Sequence, residues 1–328
     1  MTGAAGYIGS RLVHRLVRDG YAVRALDRAS APNLPRDVQF IQADLLDPDA
    51  YVDALRGCRA IFHLAAAKGD WGITDEEYAR DNVDATAALI GAAKDAGVDH
   101  WLFYSTVSVL GPSDKPLPEE TPHAPANAYG ATKAQCEVLF DELIERRPET
   151  RVLTIRPSVV FGPENPWNTN IYRLIDAVTR RRFVMIGDGH QIKTTSFIDN
   201  LIDATMHLYD RWRNGPMEPP QDIYHCIDEP VISVGQLVAH IHQQLGAKAS
   251  PKLPLWLAAP LASVGDVTAK LTGIDLPITG ARVRKFCTPT LFSAAKLAST
   301  GFKPRVSIEQ GVDQTIAWHR EMLEKKAS

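Results

Sequence analysis

The chain begins with a glycine-rich turn that leads directly into an amphipathic helix, and this feature constrains the fold more than any other. Gly3, Gly6 and Gly9 follow the spacing Gly-x-x-Gly-x-x-Gly within the first ten residues, MTGAAGYIGS. Apolar residues then recur at helical spacing over residues 10–18. Such a turn normally connects a buried parallel strand to a helix, so it predicts an α/β fold built on a parallel sheet.

The same turn has the properties of a dinucleotide site. Glycine allows backbone conformations closed to other residues and lets a diphosphate approach the main chain, and the following helix offers its N–H groups and positive dipole end. Residues 22–26 alternate as a strand, and Asp27 follows them, 18 residues after Gly9. An acidic side chain there binds both adenosine ribose hydroxyls and repels a 2′-phosphate, which favours NAD over NADP. The adjacent Arg28 weakens that preference.

No apolar run stands before the glycine turn. A central strand pairs on both sides, so its absence would leave the two neighbouring strands with unpaired backbone groups. The first strand of the sheet is therefore expected to be missing from this chain. We interpret Met1 as a mis-assigned start that replaces a valine; if the start is real, we expect weak NAD binding and low stability.

Composition excludes several classes of function. A chain of 328 residues with a net charge of −3 and dispersed basic residues has no electrostatic footprint for nucleic acid. The four cysteines are far apart, which predicts no metal site and indicates free thiols in a reducing, cytoplasmic compartment. The longest apolar stretch, residues 253–264, contains prolines and is too short to span a bilayer. It predicts a lid helix rather than a membrane anchor, and no membrane partner.

The pattern of elements divides the chain into two parts. Short apolar runs alternate with helical segments over residues 1–162, which predicts a nucleotide-binding domain with helices on both faces of the sheet. Residues 163–328 lack this alternation and predict mainly a smaller substrate-binding region, from which residues 190–210 return to the first domain. The predicted strands are 22–26, 38–41, 60–64, 101–104 and 152–155, and the predicted helices are 10–18, 81–95, 128–147, 199–208 and 307–325.

A tyrosine and a lysine carry the predicted chemistry. Tyr129 and Lys133 are four residues apart in a helical segment, so they share one face. A nearby cation favours the phenolate and is expected to lower the pKa of the tyrosine toward neutrality, which suits proton exchange with an alcohol during hydride transfer. Thr106 follows a predicted strand, at the sheet edge where open α/β folds bind ligands, and its hydroxyl can bond the same substrate oxygen.

These motifs together resemble a known family. The segments TGAAGYIGS, HLAA, YSTVSVLG, YGATK and RPSVVFGP are similar, in this order, to the extended short-chain dehydrogenase/reductase superfamily. More narrowly, they resemble the NAD-dependent epimerase/dehydratase family, which acts mainly on nucleotide sugars. The resemblance implies a Rossmann-type doubly wound parallel sheet, a homodimer built from the helices over 81–95 and 128–147, and Thr106, Tyr129 and Lys133 as catalytic residues. The implied cofactor-binding residues are Gly3, Gly6, Tyr7, Ile8, Gly9, Asp27, Arg28, Asp44, Leu45, Leu64, Ala65, Ala66, Asn82, Tyr129, Lys133 and Pro157.

Departures from the family pattern narrow the reaction. Val107 and Ser108 stand where sugar-nucleotide dehydratases have Asp-Glu, so dehydration is disfavoured. Val159 stands where many nucleotide-sugar enzymes have an asparagine that meets the diphosphate, which resembles the 3β-hydroxysteroid dehydrogenase branch. The segment 170–204 nevertheless resembles polysaccharide-cluster sugar epimerases and reductases. On that basis Asn170 and Lys193 join Thr106 as predicted substrate contacts.

The sequence thus predicts an NAD-dependent epimerase or oxidoreductase that acts on a secondary alcohol or ketone of a nucleotide sugar through a 4-keto intermediate. A 3β-hydroxysteroid-type dehydrogenase is one alternative. A non-catalytic dinucleotide-binding protein is another, although such proteins commonly lose the Tyr-Lys pair that Tyr129 and Lys133 form here.

Overall fold

The computed structural model describes residues 1–69, 72–166, 169–215, 220–258, 280 and 287–327. Strands and helices alternate over the first half and become less regular after it. The strands are β1 (Arg24–Asp27), β2 (Gln39–Gln42), β3 (Ile61–His63), β4 (His100–Tyr104), β5 (Ser113–Leu117), β6 (Arg151–Pro157), β7 (Val159–Phe161), β8 (Met185–Ile186), β9 (Thr195–Phe197), β10 (Gln221–Cys226), β11 (Lys252–Leu253) and β12 (Thr290–Phe292). The helices are α1 (Tyr7–Arg18), α2 (Val52–Leu55), α3 (Asp75–Tyr78), α4 (Ala85–Ala96), α5 (Ala128–Arg146), α6 (Asn170–Thr179), α7 (Ile198–Asn214), α8 (Val234–Leu245), α9 (Ala295–Ser299) and α10 (Ile308–Ala327).

The central sheet is parallel and confirms the predicted Rossmann-type fold class. β2 pairs with β1, and β3, β4, β6 and β10 form a second parallel run in that order. Thr2 joins the two runs because it forms parallel bridges to Leu26 of β1 and to His63 of β3. The carboxyl ends of all these strands therefore lie at one edge, where the glycine turn begins.

Met1 and Thr2 lie in the position predicted for the first strand of the sheet. The Thr2 N–H donates to the carbonyl of Phe62 at 2.9 Å, and the Leu26 N–H donates to the carbonyl of Met1 at 2.8 Å. The Leu64 N–H donates to the Thr2 carbonyl at 3.3 Å. The expectation that both neighbouring strands are left unpaired is thus corrected around Leu26 and Phe62. Met1 is hydrogen-bonded to Leu26 on one side, and Thr2 is hydrogen-bonded to Phe62 and Leu64 on the other.

The sheet separates two apolar layers, as alternate side chains of each strand point to opposite faces. On β4, Trp101 and Phe103 pack with Phe140 of α5, and Leu102 belongs to the cluster on the other face that contains Leu12 of α1. Both predicted helical layers are therefore present. They hold helices α5 and α1 against opposite faces of one sheet.

One predicted helix differs from the structure. The segment expected as a single helix over 81–95 consists of the end of a π-helical stretch, Ala79–Asp84, followed by α4, and α3 precedes the π-helical stretch. A π-helical turn widens the backbone and is often found at functional sites. Here it contains Asn82, a predicted cofactor residue. The second half of the apolar stretch 253–264, where a lid helix was predicted, lies outside the described residues, which end at 258 in this part of the chain.

Elements of the second half return to the central sheet. β9 pairs with β7, directly after β6, and α7 packs on α1, where Arg15 forms an ion pair with Asp203. β8 pairs with β11, and β5 pairs with β12. At the end of β10, the buried Asp228 accepts hydrogen bonds from the Phe197 N–H and from the Asn200 side chain. This junction fixes the start of α7.

Candidate active site

The glycine turn lies in backbone contact with the segment that follows β3. Gly3 has φ +70°, and a Cβ atom there would lie 2.6 Å from the backbone nitrogen of Ala65. A Cβ on Gly9 would lie 2.0 Å from the carbonyl oxygen of Gly3. Any side chain at either position would therefore force the turn off the sheet, which explains why glycine is required at both.

The first turn of α1 is open to an anion. Gly6 precedes the helix without a side-chain capping bond, and the first turn carries no acidic residue. The N–H groups at Tyr7, Ile8 and Gly9 have no partner within the helix, so they are available to a diphosphate. The Tyr7 hydroxyl donates to the carbonyl of Pro163 at 2.8 Å, which ties this turn to the segment after β7.

Asp27 lies at the end of β1, against the glycine turn. One carboxylate oxygen accepts the Ala5 N–H at 2.9 Å, and the other accepts the Ala29 N–H at 2.9 Å. These two bonds orient the carboxylate and leave further lone pairs for ribose hydroxyls. The geometry of this group and the open helix end together fit the adenosine diphosphate part of a dinucleotide.

An ion pair keeps the Arg28 side chain from turning into the predicted nucleotide site. Its guanidinium forms an ion pair with Asp81, with Nη1 and Oδ2 2.8 Å apart. Arg80 binds the other oxygen of Asp81 at 2.8 Å. Hydrogen bonds from Arg80 lower the pKa of Asp81, and those from Arg28 add to the effect. Asp81 therefore stays charged and holds Arg28 beside Asp27.

Asn82 connects three parts of the site. Its Oδ1 accepts the Ala67 N–H at 2.7 Å, and its amide donates to the Ala67 carbonyl at 3.3 Å. The same amide donates to the Thr132 hydroxyl on α5 at 2.9 Å. The π-helical stretch thereby fixes the loop Leu64–Ala65–Ala66 relative to the catalytic helix. This is a supporting role for Asn82 through protein contacts.

The catalytic helix begins close to Thr106. Asn127 caps α5 by accepting the Gly130 N–H at 2.7 Å. A Cβ on Gly130 would lie 2.5 Å from the carbonyl oxygen of Ser108, so the helix packs directly on the turn after β4. Thr106 is buried in that turn, where its hydroxyl donates to the Ser108 hydroxyl and accepts the Ser108 N–H.

Tyr129 and Lys133 lie one turn apart on α5, but the pKa of Tyr129 is not shifted in the direction that the sequence predicted. Burial raises the pKa of the Tyr129 phenol, and Tyr78 and Cys136 raise it further. Burial lowers the pKa of the Lys133 ammonium to about 8. The expected lowering of the tyrosine pKa is wrong for this structure, because burial disfavours the charged phenolate. The Lys133 ammonium lies over the Phe103 ring, 4.1 Å from its centroid.

A buried ion pair, which the sequence analysis missed, fixes α5 to β6. Glu137 lies one turn beyond Lys133 and receives Nε and Nη2 of Arg156 at 2.9 and 2.5 Å. His123 binds the same carboxylate at 2.8 Å. Burial alone would raise the pKa of Glu137, but the bonds from Arg156 and His123 outweigh it and lower the pKa to about 2. No sequence pattern signals this pair, because it joins residues on α5 and β6 that are 19 positions apart.

The remaining predicted residues are placed as follows. Asp44 is exposed and accepts the Leu46 N–H, whereas Leu45 is buried in the core below α4. Pro157 is buried at the end of β6. Asn170 is exposed at the start of α6. The Lys193 ammonium donates to the carbonyl of Thr288, so it joins two segments of the second half.

Within the described ranges, no group of three or more His, Cys, Asp or Glu side chains could hold a metal ion. In the same part of the chain, no helix combines the length and apolar character that crossing a membrane requires.

Comparison with known proteins places this site in a family. Residues 1–223 match the model of the NAD dependent epimerase/dehydratase family. The chain is 31% identical over 324 residues to N-acetyl-alpha-D-glucosaminyl-diphospho-ditrans,octacis-undecaprenol 4-epimerase of Escherichia coli O157:H7, covering 97% of this chain and 94% of that protein. It is 28% identical to the decarboxylating sterol-4-alpha-carboxylate 3-dehydrogenase of Mus musculus, covering 96% of this chain and 88% of that protein.

A solved structure that contains UDP-glucose and NAD is also similar to this chain. MoeE5 in complex with UDP-glucose and NAD superimposes with a TM-score of 0.77 and 27% identity, covering 98% of each chain. The similarity therefore extends over both halves of the molecule.

Proposed function

Since the chain belongs to the NAD-dependent epimerase/dehydratase family, we propose that it is a 4-epimerase of a hexose or N-acetylhexosamine carried on a diphosphate. The other end of that diphosphate is a nucleoside or a polyprenol. The observation that carries the proposal is the placement of Tyr129, Lys133 and Thr106 at the carboxyl edge of the sheet, next to the glycine turn. This arrangement pairs a proton acceptor with a dinucleotide site.

Bound NAD would accept a hydride from the sugar and return it. Its diphosphate would lie at the N-terminus of α1, and Asp27 would bind the adenosine ribose. Lys133 would hold the nicotinamide ribose. The residues present fit this group, because the first turn of α1 has no side-chain cap and no acidic residue, and the Asp27 carboxylate lies against the same turn.

The chain's own residues move the proton. Tyr129 takes the proton of the C4 hydroxyl, and the Thr106 hydroxyl bonds the same oxygen and orients it. After the 4-keto sugar turns its other face, Tyr129 returns the proton. The raised pKa of the phenol favours the protonated form at neutral pH, which suits the return step. We therefore expect the oxidation of the C4 hydroxyl to become faster as pH rises.

Three observations support epimerisation of a diphosphate-linked sugar. Val107 and Ser108 follow Thr106, so the acid and base that dehydration would need are absent from these positions. The relative from E. coli O157:H7 is named as a 4-epimerase of a diphospho-undecaprenol sugar. MoeE5 is similar over both halves and binds UDP-glucose with NAD.

A second candidate is oxidation of a 3β-hydroxysteroid-type alcohol. Val159 lies at the start of β7, paired with Thr195, and offers no polar group to a diphosphate. The similarity to the sterol dehydrogenase of Mus musculus supports this candidate.

The test is a substrate panel with the purified chain and NAD. It contains UDP-glucose, UDP-N-acetylglucosamine, polyprenyl-diphospho-N-acetylglucosamine and a 3β-hydroxysteroid. We expect the C4 epimer of at least one sugar, without accumulation of NADH. Stoichiometric NADH without an isomer, or turnover of the steroid alone, would contradict the proposal. The homodimer stays a prediction, and sedimentation velocity measures it in the same preparation.

A further inference from the structure

A second buried tyrosine lies beside the candidate acid–base residue. Tyr78 is the last residue of α3 and is 6% exposed. Its ring centroid lies 6.4 Å from that of Tyr129, and the two ring planes are inclined at 53°. Aromatic rings at this separation attract one another. The Tyr129 side chain therefore has an aromatic neighbour that does not belong to its own helix.

The hydroxyl of Tyr78 fixes the orientation of its ring. It donates to the carbonyl of Gly69 at 2.5 Å and accepts the Gly69 N–H at 3.1 Å. A phenolic hydroxyl has one proton to donate, and the Gly69 carbonyl occupies it. The hydroxyl is thus bound to the backbone, and Tyr78 presents its ring to Tyr129.

The segment that follows β3 is held by side chains, in the way that a neighbouring strand would hold it. The N–H and carbonyl of Ala67 both bond the Asn82 side chain, and those of Gly69 both bond Tyr78. Backbone groups in such a partly buried segment need partners, and these two side chains supply them. Residues 67–69 are therefore fixed against α3 and the π-helical stretch.

The backbone of Tyr129 is tied to the same part of the molecule. The Asn82 amide donates to the Thr132 hydroxyl at 2.9 Å, and that hydroxyl donates to the Tyr129 carbonyl at 3.1 Å. The start of α3 is itself fixed, because Thr74 caps it. Tyr129 is thus held at its carbonyl through Asn82 and at its ring by Tyr78.

We propose that Tyr78 is a positioning residue of the reaction, which holds the Tyr129 phenol in a fixed place relative to the loop after β3. The inference rests on the proposed function, because it takes Tyr129 as the group that exchanges a proton with the substrate. The loop after β3 lies in backbone contact with the glycine turn, so Tyr78 also sets Tyr129 relative to the dinucleotide site. Proton and hydride leave the same carbinol group, and a displacement of about 1 Å can slow such a transfer about 100-fold.

Two substitutions separate the ring of Tyr78 from its hydroxyl. Tyr78→Leu removes both and should lower kcat at least about 30-fold on whichever compound of the panel the wild type turns over. The KM and the Kd for NAD should stay within about threefold of wild type, because the binding groups remain. Tyr78→Phe keeps the ring and should restore kcat to within about fivefold of wild type.

A buried tyrosine far from the site provides the matched control. Tyr224 on β10 is 8% exposed, and its hydroxyl donates to Asp222. Tyr224→Leu should destabilise the fold in urea unfolding as Tyr78→Leu does, but leave kcat within about threefold. A Tyr78→Leu variant with wild-type kcat would overturn the proposal. So would equal losses of kcat in Tyr78→Leu and Tyr224→Leu, or a Tyr78→Phe variant as slow as Tyr78→Leu.

Hydrogen exchange separates this proposal from the proposed function. If the wild type turns over no compound of the panel, the proposed function fails and exchange decides the positioning. Tyr78→Leu should then speed amide exchange at least about tenfold over both residues 64–69 and residues 130–133 of α5, whereas Tyr224→Leu should change neither. Unchanged exchange over residues 130–133 in Tyr78→Leu would overturn the positioning of Tyr129.

Discussion

The two halves of the candidate site are built in different ways. In the first half, backbones touch: Gly3 lies against Ala65, and Gly130 lies against Ser108, each too close for a Cβ atom. In the second half, the predicted substrate residues are positioned by side-chain contacts or face solvent. Asn170 is exposed, and the ammonium of Lys193 is bound to the Thr288 carbonyl.

This difference follows from the role proposed for each half of the site. Hydride and proton transfer need reacting groups within a few tenths of an ångström, which backbone contacts and buried ion pairs provide. Recognition of one sugar among many uses side chains whose contacts follow no fixed spacing along the chain. Substitutions should therefore have large effects in the first half and small ones in the second.

The largest effect is expected for Tyr129→Phe. Without the phenolic oxygen no group takes the C4 proton, so kcat should fall at least about 10³-fold. Lys193→Met, in the second half, should change KM by about tenfold or less and leave kcat within a factor of about three. Isomer formation measured for both variants checks this. A Lys193→Met variant as inactive as Tyr129→Phe would contradict the expected difference between the two halves.

Two buried carboxylates allow a matched test of stability. Glu137→Gln removes the charge that Arg156 needs and should lower the free energy of unfolding by about 3 kcal/mol. Asp228→Asn should change it by no more than about 1 kcal/mol, because removal of a buried charge offsets the hydrogen bonds lost to the Asn200 amide and the Phe197 N–H. Urea unfolding at pH 7 measures both. Equal losses would show that the two halves are held alike.

The same pair should respond to pH in opposite directions. The pKa of Glu137 is lowered to about 2 from 4.5, so its stabilisation is complete above pH 4.5 and is lost as pH falls toward 2. Burial raises the pKa of Asp228 to about 6 from 3.8, so its contribution is complete below pH 3.8 and is lost as pH rises through 6. Unfolding of both variants against wild type from pH 3 to 8 measures these slopes.

Cofactor affinity tests the backbone contacts directly. Gly9→Ala places a Cβ 2.0 Å from the Gly3 carbonyl oxygen and should raise the Kd for NAD at least about 100-fold, since the turn must open. Gly91→Ala is the control: it lies in α4 with nothing within 4 Å, and should stabilise the fold by about 0.5–1 kcal/mol. Calorimetric titration of NAD into both variants is the measurement. Unchanged affinity in Gly9→Ala would refute the role of the turn.

The smallest effect concerns the choice of dinucleotide. Asp81 holds the Arg28 guanidinium at 2.8 Å, so Asp81→Asn should free Arg28 to meet a 2′-phosphate. The preference for NAD over NADP should fall about tenfold, a change of about 1.4 kcal/mol. Adding Arg28→Gln should restore the preference. If the double variant keeps the reduced preference for NAD, release of Arg28 from Asp81 is not the cause of the change.

The sequence predicted what lies in short, regularly spaced motifs. The glycine turn, Asp27 and the pairing of Tyr129 with Lys133 on one helix are all found at the expected elements. The buried pair of Glu137 and Arg156 was missed, because it depends on the packing of α5 against β6. The π-helical stretch at Asn82 was missed as well, since its hydrophobic pattern resembles that of an ordinary helix.

Electrostatics was the least predictable property of the site. The spacing of Tyr129 and Lys133 was right, but the direction of the tyrosine pKa shift was not. That shift depends on burial, and the ammonium lies over Phe103, which belongs to a strand remote in sequence. A partner such as Thr288 for Lys193 likewise has no signature along the chain.

The most direct test of the central claim uses a UDP-sugar carrying deuterium at C4, incubated with the chain and NAD in ordinary water. Hydride removal and return at one site predict an epimer that keeps its deuterium, with a slower rate than the unlabelled sugar and no net NADH. An epimer that has exchanged its deuterium for solvent hydrogen, or NADH formed in proportion to substrate, would contradict the account.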